Sequence, residues 1–175
     1  SNSSSRLGLP NRRPIARASV WGDVIDPERN EIAVVDIHAA KQVASWSMGD
    51  MHGNFPMAID ENEQVVWVAT RQPANLIAMD VTSGARKAVL ESCGDADDIM
   101  VDGRRHRIYV SCGSGHIDAW DTREGKYLRI ARLETSPGAR TALFVPELDR
   151  LYLAVRANQD TPAAIWVYRP TSAPP

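Results

Sequence analysis

Three short stretches gather the residue types that could do chemistry: "GDMHGNFP" (49–56), "CGDADD" (93–98) and "SPGAR" (136–140). Between them they hold Asp50, His52, Asn54, Asp95, Asp97, Asp98 and Arg140. Carboxylate and amide oxygens supplied from separate loops suit a hard divalent cation such as calcium. On that reading Asp97 and Asp98 are candidate metal ligands, with Asn54 as a further one. Asn54, Asp95 and Arg140 are candidate ligand-binding groups, and His52 is the candidate base. A plainer reading competes: Asp and Asn ahead of a strand bond their own loop backbone, and Arg140 neutralises the acidic cluster. Either role requires the three loops to meet in space, which is set by the elements that carry them.

Those elements repeat. "MAIDENEQVVWVATRQPANLIAMDVTSGARKAVL" (57–90) aligns with "IMVDGRRHRIYVSCGSGHIDAWDTREGKYLRIARL" (99–133). Asp60 falls on Asp102, Trp67 on Tyr109, Asp80 on Asp121 and Gly84 on Gly125, at separations of 42, 42, 41 and 41 residues. A third copy, residues 143–170, sets Pro146 on Asp102 and Tyr152 on Tyr109. "EIAVVDIHAAKQVASWSM" (31–48) matches the second half of the unit. Val, Ile, Tyr and Trp fill the strand positions, while Gly, Asp, Asn and Pro mark the turns. No helical period persists beyond a turn, so the chain reads as all-β. A four-stranded unit of about 40–45 residues is a β-propeller blade. The second strand ("VVWVA", "RIYVS", "RLYLAV") is apolar on both faces, so neighbouring sheets must cover both. The Asp closing the third strand (Asp36, Asp80, Asp121) is read as turn scaffold.

The predicted fold is therefore a partial β-propeller of about three and a half four-stranded antiparallel blades. Residues 1–14 form an arm and 171–175 a tail; the blades span 15–50 (partial), 53–92, 95–135 and 139–170 (partial). The loop entering each first strand lies at the mouth of the central channel, which brings the three stretches together. An open arc exposes two sheet faces and unpaired edges. Two arrangements remove that exposure: the chain is a piece of a longer propeller, or two copies complete one ring as a homodimer.

Composition bounds the rest. The 175 residues are 43% hydrophobic and 24% charged, enough for one domain with a real core. A net charge of −2 gives no reason to expect nucleic acid as a partner, and no apolar run is long enough to span a bilayer. The chain starts at Ser1 without Met, which leaves its compartment open. Cys93 and Cys112 lie at the same end of neighbouring strands and make either one disulfide or two buried thiols. "DADDIMVDG" fails as a calcium-binding EF-hand loop because Ile99 takes its fifth position. "CGSG" (112–115) lacks the spacing of a nucleophile elbow, and His38 and His106 fall in exposed turns.

"NFPMAID", "GDADDIMVDGRRHRIYVSCGSGHIDAWD" and "SPGARTALFVPELDRLYLAV" carry a resemblance to the bacterial YVTN-type seven-bladed β-propellers, over roughly residues 31–168. The chain resembles roughly half of a full-length member. The resemblance implies export, to the periplasm for example, and a fold whose members differ widely in chemistry. Two functions stand as expectations: a binding or assembly module offering channel-mouth loops to a small ligand or protein, or a metal-assisted lactonase-type hydrolase or lyase. In lactonase-type propellers a bound cation polarises a carbonyl and lowers the pKa of a water.

Overall fold

The computed structural model describes residues 30–53, 56–159 and 162–171. The expected arm (1–14), the opening part of the first blade (15–29), Asn54 and the last four residues of the tail lie outside these. The described chain is thirteen strands, with no α-helix and a single 3-10 turn at Arg123–Gly125. β1 (Glu31–Asp36) and β2 (Lys41–Ser47) form a two-stranded sheet. β3 (Met57–Asp60), β4 (Val65–Arg71), β5 (Ala74–Asp80) and β6 (Arg86–Glu91) form a four-stranded antiparallel meander. β7 (Ala96–Asp102), β8 (Arg107–Cys112), β9 (His116–Asp121) and β10 (Leu128–Glu134) repeat it. β11 (Ala142–Val145), β12 (Arg150–Val155) and β13 (Ala164–Tyr168) make a third copy with three strands. These are the second, third and fourth sheets, β1–β2 being the first.

The sheets stack face to face in chain order, and the second strand of each repeat explains why. In β4 the odd residues Val65, Trp67 and Ala69 pack toward the third sheet, against Ile99, Ile108, Val110 and Trp120. The even residues Val66 and Val68 pack the other way, against Ile32 and Met48 beside the first sheet. In β8, Ile108, Val110 and Cys112 join the first of these cores, while Tyr109 meets Phe144, Leu151 and Leu153 of the fourth sheet. All six residues of β8 are buried. A strand of this kind is stable only between two other sheets. Aromatic edges lock the seams: Trp67 meets Tyr127 at 5.1 Å and Tyr109 meets Phe144 at 5.6 Å, both edge-to-face.

The repeated aspartates are turn scaffold. Asp36, Asp80 and Asp121 each accept backbone N–H bonds from the residues two or three ahead, and Asp60 and Asp102 do the same one turn earlier in the unit. Gly84, in the hairpin after Asp80, has φ +70° and lies against the Trp46 ring, which a Cβ would overlap. That single close approach needs glycine.

Two readings change and one left open is decided. The strand register pairs Asp60 with Val65, Asp102 with Arg107 and Val145 with Arg150, so Val145, not Pro146, is the counterpart of Asp102. A Pro cannot donate to a ladder, and Pro146 falls one residue later, in the turn. His106 is not free in its turn: Nδ1 lies 3.0 Å from Glu63 Oε1, tying the second sheet's turn to the third's. Cys93 and Cys112 are joined in a disulfide with Cα atoms 5.9 Å apart, rather than held as two thiols.

Three measurements probe this scaffold. Trp67 is fully buried, so Trp67→Ala is expected to cost about 3–5 kcal/mol in urea unfolding. The partly buried counterpart Tyr152, changed to Ala, should cost less than that. Breaking the disulfide with Cys93→Ala and Cys112→Ala together should lower stability by about 3 kcal/mol, as expected for a link across 19 residues. The backbone N–H of Ser83, its hydroxyl and the N–H of Thr82 hold the Asp80 carboxyl at about 2, below its ordinary 3.8. A lowered carboxyl stabilises the fold above its unfolded value and loses that contribution as pH falls through the folded one. Asp80→Asn should therefore flatten the dependence of melting temperature on pH between about 4 and 2, read by thermal scans at stepped pH.

Candidate functional site

β7 runs beside β3 and β4 on one side and β11 on the other, so the entry loops of successive sheets sit next to one another. The bend before β7 is fixed from several directions. Asp95 has φ +57°, and its carbonyl accepts the N–H of Gly113 at 2.8 Å. Ser114 N–H donates to Gly94 at 3.1 Å, and the Cys93–Cys112 disulfide ties the same loop to the end of β8. A Cβ on Gly113 would overlap the Asp95 carboxylate, so glycine there makes the room in which that carboxylate lies.

The acidic cluster then meets two arginines from its neighbours. Arg71, at the end of β4, places Nε 3.1 Å from Asp95 Oδ1 and Nη2 3.1 Å from Asp97 Oδ1. Its Nε also donates to the Ala96 carbonyl at 3.1 Å. Arg140, just ahead of β11, places Nη1 2.5 Å from Asp95 Oδ2 and Nε 3.7 Å from Asp97 Oδ1. The Arg140 carbonyl accepts the Ser111 hydroxyl at 2.5 Å. Two carboxylates and two guanidiniums thus alternate across three sheets with no net charge. Each side chain is between a quarter and two-fifths exposed, so the network is screened by water and salt.

Asp98 has a different environment. Its Oδ2 accepts the Ala142 N–H at 2.7 Å, pinning the start of β11 to β7. Burial pushes its carboxyl above the ordinary carboxylate value, with Asp97 adding to the effect and the Ala142 N–H opposing it. Asp97 additionally lies within 3.5 Å of the Thr141 hydroxyl.

The structure therefore brings together Asp95, Asp97, Asp98 and Arg140. His52 is exposed, and its backbone pairs with Gln72. No hydrogen bond links its ring to the acidic cluster among the described residues. Asn54 is outside them. Among the described residues, no group of three or more His, Cys, Asp and Glu side chains converges as a cation would need. As arranged, the carboxylates of Asp95 and Asp97 are directed at guanidiniums, and the set does not fit a divalent cation without exchanging those partners. Arg71 was missed by reading the sequence. Its one signal is a cation closing a second strand otherwise made of Val, Trp, Ala and Thr.

A cavity of about 240 Å³ lies elsewhere, between β10 and β13. Tyr109, Ile117, Ala119, Ile130 and Leu151 line it. Tyr168 of β13, the last strand described in the fourth sheet, also lines it.

No protein-family model matches the chain, and no curated protein matches it. Solved structures do. The Kuenenia stuttgartiensis hydrazine synthase structure is similar with a TM-score of 0.68 and 15% identity, covering 80% of this chain and 40% of that one. A structure of a nidogen/laminin complex is similar with a TM-score of 0.61 and 13% identity, covering 81% and 55%. The chain thus spans about half the length, or less, of these neighbours. Likeness at this identity is a likeness of fold, and with the stacked four-stranded meanders it makes the fold an open, partial β-propeller.

Proposed function

We propose that this chain is a stretch of a YVTN-type β-propeller acting as a binding and assembly module, presenting its channel-mouth loops to a small ligand or protein. The observation that carries this reading is the pairing of Asp95 and Asp97 with Arg71 and Arg140. Carboxylates neutralised by fixed arginines hold neighbouring sheets in register, and they leave a rim of balanced charge suited to polar contacts. The metal-assisted reading would need the same oxygens for a cation, and among the described residues those of Asp95 and Asp97 are directed at guanidiniums. A disulfide buried between strands fits maturation in an oxidising compartment, in keeping with export. Two copies completing one ring would cover the sheet faces that the open arc leaves bare.

Calorimetric titration with calcium, magnesium and zinc tests the choice. No saturable heat is expected for calcium or magnesium up to millimolar concentration. Stoichiometric binding abolished by Asp97→Asn with Asp98→Asn, in variants that keep their fold, would replace this reading with the metal-assisted one.

A further inference from the structure

The two seams that flank the third sheet are built from equivalent positions with different residues. Between the second and third sheets, Val65, Trp67 and Trp120 lie in one buried apolar cluster. Strand register carries these positions to the next seam. Val65 pairs with the end of its first strand as Arg107 does, and Trp67 corresponds to Tyr109. Trp120 pairs with Ile108 as Tyr168 pairs with Leu151. Two indoles thus become two smaller phenols, and a valine becomes an arginine. The seam with the smaller rings holds the cavity of about 240 Å³, which Tyr109, Tyr168 and Arg107 all line.

Arg107 is the group in this wall that a packed seam does not explain. It is only 7% exposed, and it shares a face of β8 with Tyr109, two residues on. Its Nη1 donates to the Thr171 carbonyl at 2.6 Å, which places the guanidinium between the third sheet and the segment after β13. The Tyr109 hydroxyl accepts from it and donates to Asp102 Oδ2 at 3.1 Å. Burial first, then Asp102, pushes that phenol up to about 12, so it stays protonated and supplies no negative charge. Asp102 holds Arg105 at 2.9 Å, and Asp121 holds Arg123 Nε at 2.9 Å. Arg107 itself forms no ion pair within 4 Å among the described residues. A buried cation in that position is costly until an anion meets it, and a guanidinium has five N–H donors to offer one. Arg169, at the rim, adds a second cation whose Nε is a distant 3.9 Å from Asp149.

We propose that this cavity binds a small carboxylate with an aromatic or branched apolar body. The carboxylate meets Arg107, and the body lies among Ile117, Ala119, Ile130 and Leu151. Size and charge both set the class. A dry apolar cavity of about 150 Å³ admits benzene, so 240 Å³ leaves room for a ring and a short acidic arm. An apolar wall with one fixed cation favours a planar anion that accepts two N–H bonds. The site stands at the Asp102 end of β7, opposite the entry loops, and is independent of the reading proposed for the channel mouth.

Calorimetric titration of the full chain with phenylacetate tests it. One molecule per chain should bind with half-saturation below about 1 mM, the affinity expected of some ten non-hydrogen atoms. Phenylacetamide, equal in shape and uncharged, should bind at least tenfold more weakly. Arg107→Gln should abolish saturation, and Arg107→Lys should recover part of it. Ala119→Val should weaken binding by filling the cavity, with the melting temperature kept or raised. Hydrogen exchange on the unaltered chain locates the ligand without any variant: amides of β10 and β13 should gain protection when phenylacetate is added. No saturable binding of phenylacetate or isovalerate up to about 10 mM would overturn the proposal. Equal affinity for the amide, or protection confined to the entry loops before β7 and β11, would overturn it as well.

Discussion

The constraint on which the whole molecule depends is that the second strand of each repeat is apolar on both faces. β4 and β8 cannot be half-solvated edges of a sheet, because every second side chain would then carry a large apolar area into water. Burying both faces demands a sheet on each side, and a repeated demand of that kind generates a stack. The twist of each sheet turns the stack into an arc, since neighbouring faces meet at a fixed angle and not in parallel planes. Everything at the channel mouth follows, because loops from different repeats become neighbours only when the sheets are stacked in order.

The architecture was legible in the sequence because the signals that specify it are local and repeated. Trp67, Tyr109 and Tyr152 mark one position in three sheets, and Asp36, Asp80 and Asp121 mark one turn. The error at Pro146 has an equally local cause. The polar turn of the last copy, like the others, begins beside a turn-forming residue, and the alignment matched Pro146 to Asp102 by turn chemistry. The ladder ignores chemistry at that point and counts residues from Arg150 backwards to Val145.

The site was legible only in part. Asp95, Asp97, Asp98 and Arg140 were found because they cluster in loops of obvious turn composition. Arg71 was not, because it belongs to a strand, and its partners are about 25 residues away across a sheet-to-sheet seam. No pattern of short range in a single sequence reports such a pairing. The disulfide was left open for a related reason. Two cysteines at the same end of neighbouring strands fix proximity but not the approach of the two Cβ atoms, which depends on the bend at Asp95.

The same bend decides how the acidic cluster divides its work. Asp95 adopts a left-handed backbone conformation, which is tolerable for Asp and costly for a branched residue. It does so where Gly113 leaves space and where a disulfide and two backbone bonds hold the loop. With Asp95 fixed between Arg71 and Arg140, Asp97 shares both guanidiniums and Asp98 turns away to the N–H of Ala142. Consecutive alternation along a strand places Asp97 and Asp98 on opposite sides, and a β-bulge between Ala96 and Asp98 sets their offset. Two neighbouring carboxylates that read as one ligand pair in the sequence are thus separated by the pleat itself. One belongs to the charge network at the channel mouth, and the other anchors the next blade.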